Sequence, residues 1–153
     1  MKYKLFLDDI RNVPMVFPNL TNTDIIIVRS YVDFVSYINE NGLPSFISFD
    51  NDLGEDENHL VLPDGHDCAK WLVYESGLNI KDLTFNVHSA NPVAKKQIEG
   101  LLTNYIHHCK EEYQNKALKT QYKIVKAAIK LKHPKATEQE QVILFNEWLS
   151  KNQ

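Results

Sequence analysis

Three short apolar runs, at residues 3–7, 46–49 and 83–87, each stop abruptly at polar side chains. Asp8-Asp9 follows the first, Asp50 with Asp52 close behind follows the second, and His88-Ser89-Ala90-Asn91-Pro92 follows the third. Helical patterning fills the intervals, and a strand, helix, strand alternation argues for parallel strands, because a parallel connection needs an element that spans the sheet. In such a sheet, ligands collect beyond the carboxyl ends of the strands, where the chain turns to begin each crossover. The three polar run ends are therefore expected on one sheet edge, and any chemistry is expected there.

Lys4 interrupts the first run only lightly, so that run reads as a central strand whose amino-terminal end reaches solvent. A further strand is expected over residues 24–29, where Ile25, Ile26, Ile27 and Val28 favour extended backbone. Residues 12–23 hold Pro14 and Pro18 and make a poor helix; a loop with at most a short turn is expected to wrap the sheet edge. Ser30 can cap a helix over residues 31–41, with Phe34, Val35 and Ile38 inward and Gly42 as its stop. Residues 51–64 are acidic and irregular, and Leu60, Val61 and Leu62 within them form either a short flap strand or a pin to the core. Asp64-Gly65 then precedes a helix over residues 66–75 with Ala69, Leu72 and Val73 facing the sheet, and Pro92 opens another over residues 93–107. A small three-layer α/β domain with four main strands, over residues 1–107, is the economical solution.

The remainder, residues 108–153, reads as a basic helical extension. Residues 114–131 contain no proline or glycine, His133-Pro134 breaks the run, and Thr137 with Glu140 makes a capping box for a last helix over residues 138–150. Val142, Phe145, Trp148 and Leu149 are expected as its buried face, with Trp148 a packing anchor. Residues 1–107 carry 8 basic and 15 acidic side chains, net −7, whereas residues 108–153 carry 9 basic and 5 acidic, net +4. Lys116, Lys119, Lys123, Lys126 and Lys130 share one helical face, and Leu118, Tyr122, Val125 and Ile129 beside them are expected to bury against the domain. The lysines either hold nucleic-acid phosphates, in which case binding weakens with salt, or form the solvated face of a helix that covers a sheet edge. The extension packs on its own core or pairs with a second copy as a homodimer.

With 153 residues and 43% apolar content the chain is sized for one continuous core. Cys68 and Cys109 make no disulfide framework and no CxxC pair, which points to a reducing cytoplasm. No charged leader with a long apolar core precedes Asp8, and no run approaches the roughly 18 apolar residues of a membrane span. Secretion and membrane insertion are not expected.

Asp8, Asp9, Asp50 and Asp52 brought to one edge repel and raise one another's pKa unless a cation or an arginine compensates. Mg2+ suits an all-oxygen site that phosphate completes, and Mn2+ is the other candidate. Arg11 and Arg29, the two arginines of the chain, either bind a substrate phosphate or satisfy the aspartates as a structural cluster. Asp50 is the strongest member, with capping of the turn at Asn51 as its plain alternative. Asp52 either faces the site or ties Gly54 into the loop. His88 can transfer protons near neutral pH or sit buried as a hydrogen-bonded spacer. Ser89 and Asn91 can donate to a phosphoryl oxygen at the helix opening near Pro92, or serve as ordinary caps. Lys95 and Lys96 reach an anion or stay solvated, His66 is a weaker candidate, and His59, His107, His108 and Cys109 lack zinc spacing.

The acidic pair after the first strand, the aspartate after the third and the serine after the fourth resemble the receiver fold of two-component signalling. More specifically, Leu5-Phe6-Leu7-Asp8-Asp9-Ile10-Arg11, Ser48-Phe49-Asp50-Asn51-Asp52-Leu53-Gly54, Asp64-Gly65 and His88-Ser89-Ala90-Asn91-Pro92 are similar to the cyclic-phosphate processing receiver domains. The resemblance covers residues 3–107 and implies a receiver-like parallel sheet and a substrate that is a cyclic phosphate of a nucleotide or nucleic acid. It implies Asp8, Asp9 and Asp50 as metal or acid–base carboxylates, Arg11 as a phosphate clamp, and His88, Ser89 and Asn91 as the opposite wall. Asn51 stands where the family pattern carries histidine, a departure that weakens, alters or removes activity if that histidine is the base. No fifth strand with a following lysine is recognisable, and the insertion at 51–64 would cover a phosphoacceptor, which ranks phosphorelay signalling lower. The expected function is a metal-assisted phosphoesterase with Asn51 and Asp52 among the substrate contacts; an inactive nucleotide-binding or protein-interaction domain is the alternative.

Overall fold

Register decides where the polar run ends meet. The computed structural model describes residues 3–21, 23 and 25–152. Strands β1 (Lys4–Leu7), β2 (Ile26–Val28), β3 (Phe46–Phe49) and β4 (Thr84–Val87) form one sheet in the order β2-β1-β3-β4, every pair parallel. Leu7 lies opposite Phe49, and Phe49 opposite Val87. The ladder runs one residue further, with Asp8 N–H donating to Val28 O, Asp50 N–H to Leu7 O and His88 N–H to Phe49 O. Asp8, Asp50 and His88 therefore form a single row just beyond the strand ends.

Side chains alternate across a sheet, so that row shares its face with Phe6, Ser48 and Asn86, two residues earlier in each strand. The opposite face carries Leu5, Leu7, Ile47, Phe49 and Val87, which pack against Phe34 and Ile38 of α2 (Tyr31–Asn41), against Ala69 and Leu72 of α3 (Gly65–Tyr74), and against Ile98 and Leu102. Burial of each large aliphatic or aromatic side chain contributes about 2 kcal/mol. The Phe6 face is covered by the chain between β1 and β2, where Val13, Val16, Phe17 and Leu20 pack around Phe6 and Ile25. That segment includes a four-residue helix, α1 (Val13–Val16), so the expected loop holds one short helical turn with Pro14 at its start. Asp24, in the expected second strand, lies outside the described residues.

Local signals place the helix ends. Ser30 Oγ accepts from Asp33 N–H, Asp64 forms a reciprocal box with Asp67, and Thr137 does so with Glu140. The expectation of separate helices over 93–107 and 114–131 is corrected: α4 runs unbroken over Pro92–Lys132, since nothing between His107 and Gln114 lacks a backbone N–H or a helical preference. The chain forms two compact units, Met1–Cys109 and Lys110–Gln153. In the second, the far part of α4 and α5 (Glu138–Lys151) bring Tyr122 against Phe145, ring centroids 4.7 Å apart, and Phe145 against Trp148. The expected burial of this unit's apolar faces is corrected too. Leu118 is 62% exposed, Val142 is 56% exposed, and α5 contains no buried residue, because two helices alone cannot enclose a core. Among the described residues no helix is long and apolar enough to cross a membrane.

Candidate functional site

The row Asp8, Asp50 and His88 opens on a cavity of about 520 Å3 lined by Asp8, Asp9, Ile10, Arg11, Asp50, Asn51, Asp52, Ser89, Ala90 and Asn91. Eight of the expected site residues are on that wall; His88 is not. Asp8, Asp9 and Asp50 each offer an oxygen within 4.8 Å of the others. Arg11 sits among them, its Nε 2.7 Å from Asp8 Oδ2 and its terminal nitrogen 2.6 Å from Asp50 Oδ2. Asp8, fully buried, is saturated: Oδ1 accepts from the backbone N–H groups of Ile10 and Arg11, and Oδ2 accepts from Arg11 Nε and His88 Nε2. Asp50 takes one further bond, from Asn51 N–H, and keeps acceptor capacity toward the cavity. Among the described residues Arg29 pairs with no carboxylate; its guanidinium braces the loop by donating to the backbone oxygens of Asp8 and Arg11 and to Asn12 Oδ1.

Electrostatics separates the aspartates. Burial alone pushes the Asp8 carboxyl up, but the Arg11 backbone N–H, the His88 ring N–H, the Ile10 N–H and the Arg11 guanidinium outweigh it and hold the group below the usual range. Asp9 goes the other way, raised first by burial and then by the charges of Asp8, Asp50 and Asp52. Asp9 is therefore the carboxylate whose charge is left uncompensated. Gly54, at φ 84°, lies beside it: a Cβ there would stand 3.4 Å from Asp9 Oδ2 on a backbone that side chains rarely adopt. Asp52 both lines the cavity and accepts from Gly54 N–H, so its two expected alternatives hold together.

The opposite wall is built by the turn before α4. Asn91 Oδ1 accepts from Val93 and Ala94 N–H, and Ser89 Oγ accepts from Asn91 N–H. Capping uses their acceptors, which leaves the Ser89 hydroxyl hydrogen and the Asn91 amide hydrogens as donors to an anion. Asn51 also divides its roles, lining the cavity while its Oδ1 accepts from His66 N–H at 3.3 Å. Leu60, Val61 and Leu62 do not pin the 51–64 insertion; they are exposed on a small flap closed by a bridge between Glu55 and Val61.

His88 lies off the cavity wall that the resemblance implied and sits as the buried, hydrogen-bonded spacer that was its other reading. Its side chain is 4% exposed and stacks on Phe6 at 4.7 Å, with Nε2 3.0 Å from Asp8 Oδ2 and Nδ1 2.7 Å from Ser48 Oγ. Burial lowers its pKa against the pull of Asp8, so the ring is neutral. An ionised Asp8 can only accept, which puts the single ring proton on Nε2 and makes Nδ1 the acceptor of the Ser48 hydroxyl. Asn86 Nδ2 donates in turn to Ser48 Oγ at 3.4 Å. The imidazole thus orients Asp8 from behind and does not face the cavity.

The sequence matches the Cyclic-phosphate processing Receiver domain family over residues 3–104. The chain belongs to that family. Among curated proteins none matches. One solved structure, described as the yeast Spc42 trimeric coiled coil, amino acids 181-211, in a fusion, is 18% identical and covers 97% of this chain and 96% of that chain with a TM-score of 0.44, a likeness that bears on neither fold nor function.

In this cyclic-phosphate processing receiver domain, sequence reasoning missed Ser48 and Asn86. Each is a polar residue inside an apolar strand, and that interruption was the available signal. The neutral His88 has a measurable consequence. Below its ordinary pKa of 6.5 the unfolded chain takes up a proton that the native ring refuses, so the stabilisation is complete above that value and is lost as pH falls from it through the lower native value. Urea unfolding is expected to show this loss as pH falls below about 6.5. His88→Gln, which cannot titrate, is expected to flatten that part of the profile; an unchanged slope would contradict the neutral relay.

Proposed function

We propose that this chain hydrolyses a cyclic phosphate ester on a nucleotide or on the end of a nucleic acid, assisted by a divalent cation, Mg2+ or Mn2+. One observation carries the reading: a guanidinium, four carboxylates and two free polar donors share a single cavity of about 520 Å3 in a member of a cyclic-phosphate processing family. The donor set is all oxygen, as hard cations require, and Asp9 and Asp50, which keep open lone pairs, would hold the ion. Asp8 would join them only where Arg11 withdraws. When bound, the cation supplies charge neutralisation and Lewis acidity at the phosphoryl oxygens.

Arg11, Ser89 and Asn91 bind the phosphate oxygens and stabilise the charge that grows on them. A carboxylate oxygen of Asp9 accepts the proton of the attacking water. One P–O ester bond breaks, the proton passes to the leaving oxygen, and the products are a phosphate monoester and a free hydroxyl on the same sugar. His88 acts as a positioning residue through Asp8.

Turnover of 2',3'-cyclic and 3',5'-cyclic nucleotides, followed by chromatography with added Mg2+ or Mn2+, tests the proposal. Asp50→Asn is expected to lower kcat/KM by about 100-fold or more while circular dichroism stays unchanged. Equal turnover in the variant would end the reading. A second reading, a nucleotide-binding protein without turnover, draws on Asn51 in the histidine position, its amide oxygen committed to His66 N–H. Stoichiometric binding of cyclic nucleotide with no product would select it.

A further inference from the structure

The second unit carries a feature that the family match, ending at residue 104, does not include. From Lys116 to Lys132 the chain has six lysines and no acidic residue. Five of them, Lys116, Lys119, Lys123, Lys126 and Lys130, recur at alternating spacings of three and four. At 3.6 residues per turn they fall within about 80° of arc and extend about 21 Å along α4. All five are exposed, and none has an ion-pair partner among the described residues. Glutamates at the third or fourth position would lower the repulsion of such a face. Here that compensation is missing, and the repulsion along the helix is left for a polyanion to relieve.

We propose that this lysine face is a docking surface for the phosphate backbone of a nucleic acid. Charge complementarity selects the partner class. An anionic membrane surface offers phosphates too, and because α5 meets α4 at Tyr122 and Phe145 but leaves Leu118 exposed, the vesicle arm of the test below tells it from a nucleic acid. A second copy apposed through the same face would bring lysines against lysines, and one that offers its acidic residues 1–107 is the competitor that the light-scattering arm below detects. Lysine is a point charge without the planar fork of arginine, which suits contact with the backbone more than the reading of bases. Where the phosphoesterase reading holds, this surface favours a polynucleotide end over a free nucleotide as substrate, a step that rests on that reading.

Fluorescence anisotropy with a labelled single-stranded RNA or DNA oligonucleotide of mixed sequence, on the full chain, tests the surface. Five phosphate contacts give a salt slope of about −3.5, so affinity is expected to fall about 100-fold between roughly 50 and 200 mM salt. The triple variant Lys119→Gln, Lys123→Gln, Lys126→Gln is expected to lose about 2 of that slope and most of the low-salt affinity. Glutamine has nearly the helix propensity of lysine, and circular dichroism checks that helicity is kept. The triple variant is expected to turn over a cyclic mononucleotide as the unaltered chain does, so that loss of docking and loss of turnover are told apart. Absence of binding at low salt, or equal binding by the triple variant, overturns the proposal. So does stronger binding to phosphatidylserine-containing vesicles than to the oligonucleotide, or lysine-dependent self-association seen by light scattering in place of oligonucleotide binding.

Discussion

Replacing Gly65 with alanine is expected to lower the free energy of unfolding by about 3 kcal/mol, the upper part of the range for overpacking. A Cβ at this position would stand 1.8 Å from the Asp50 carbonyl oxygen, 2.8 Å from the Asp50 carbonyl carbon and 2.9 Å from Asn51 Cα. All three are backbone atoms, so no side chain can rotate away. The opening of α3 and the loop after β3 are held together there by Gly65 N–H donating to Asn51 O at 2.8 Å, and by His66 N–H donating to Asn51 Oδ1. Relief of the clash has to move this clamp and Asp50 with it, which couples the stability loss to the site. Helix propensity alone predicts the opposite sign, because alanine is the better helix former by about 1 kcal/mol. Urea unfolding of Gly65→Ala therefore separates the two: a variant as stable as the parent would show that α3 does not approach the loop this closely.

Arg11→Ala is expected to cost about 3 kcal/mol, near the lower end for breaking a buried ion pair, since the arginine is 29% exposed and its charge is partly screened. The loss comes less from the missing contacts than from what stays behind. Asp8 and Asp50, both buried, would face each other and Asp9 with no cation between them. The guanidinium is one of the groups that hold the Asp8 carboxyl below its usual range, and a depressed native pKa gives stability that is present above the unfolded value and lost as pH falls. The deficit of Arg11→Ala against the parent is thus expected to shrink as unfolding is measured at progressively lower pH toward the carboxylate range. Adding Asp50→Asn to Arg11→Ala is expected to recover part of the deficit, as coupled neighbours do in a double-mutant cycle. A deficit that is constant with pH and unaffected by the second substitution would show that Arg11 acts through packing alone. Arg11→Lys is expected to fall between, because one ammonium cannot span two carboxylates as the fork does.

Both results bear on the same arrangement. Arg11 lies between Asp8 and Asp50 and pairs with both, and Arg29 fixes the loop that carries it. The arginines were expected either to bind phosphate or to satisfy the aspartates. Arg11 is paired with the aspartates and lines the cavity as well, so its guanidinium can serve an anion without leaving the site.

What the sequence determined by itself is whatever depends on neighbours within a few positions. Ser30, Asp64 and Thr137 cap helices because the N–H groups they satisfy are two or three residues away. The runs at 46–49 and 83–87 become strands, and the order of elements makes them parallel, so the meeting of Asp8 with Asp50 was legible across about forty residues. Tertiary structure alone decided which way the converging groups turn. Register put Ser48 and Asn86 on the face of His88, drew the imidazole behind Asp8, and left Ser89 and Asn91 to make the wall. It also brought Arg11 between two carboxylates and pressed Gly65 onto the Asp50 carbonyl. Such placements depend on distances between segments far apart in the chain, and no residue pattern within one segment contains them. The exposure of the terminal helices is the same lesson reversed: their apolar spacing marks a face to be covered, but only the three-dimensional arrangement shows how little of it α4 and α5 cover for each other.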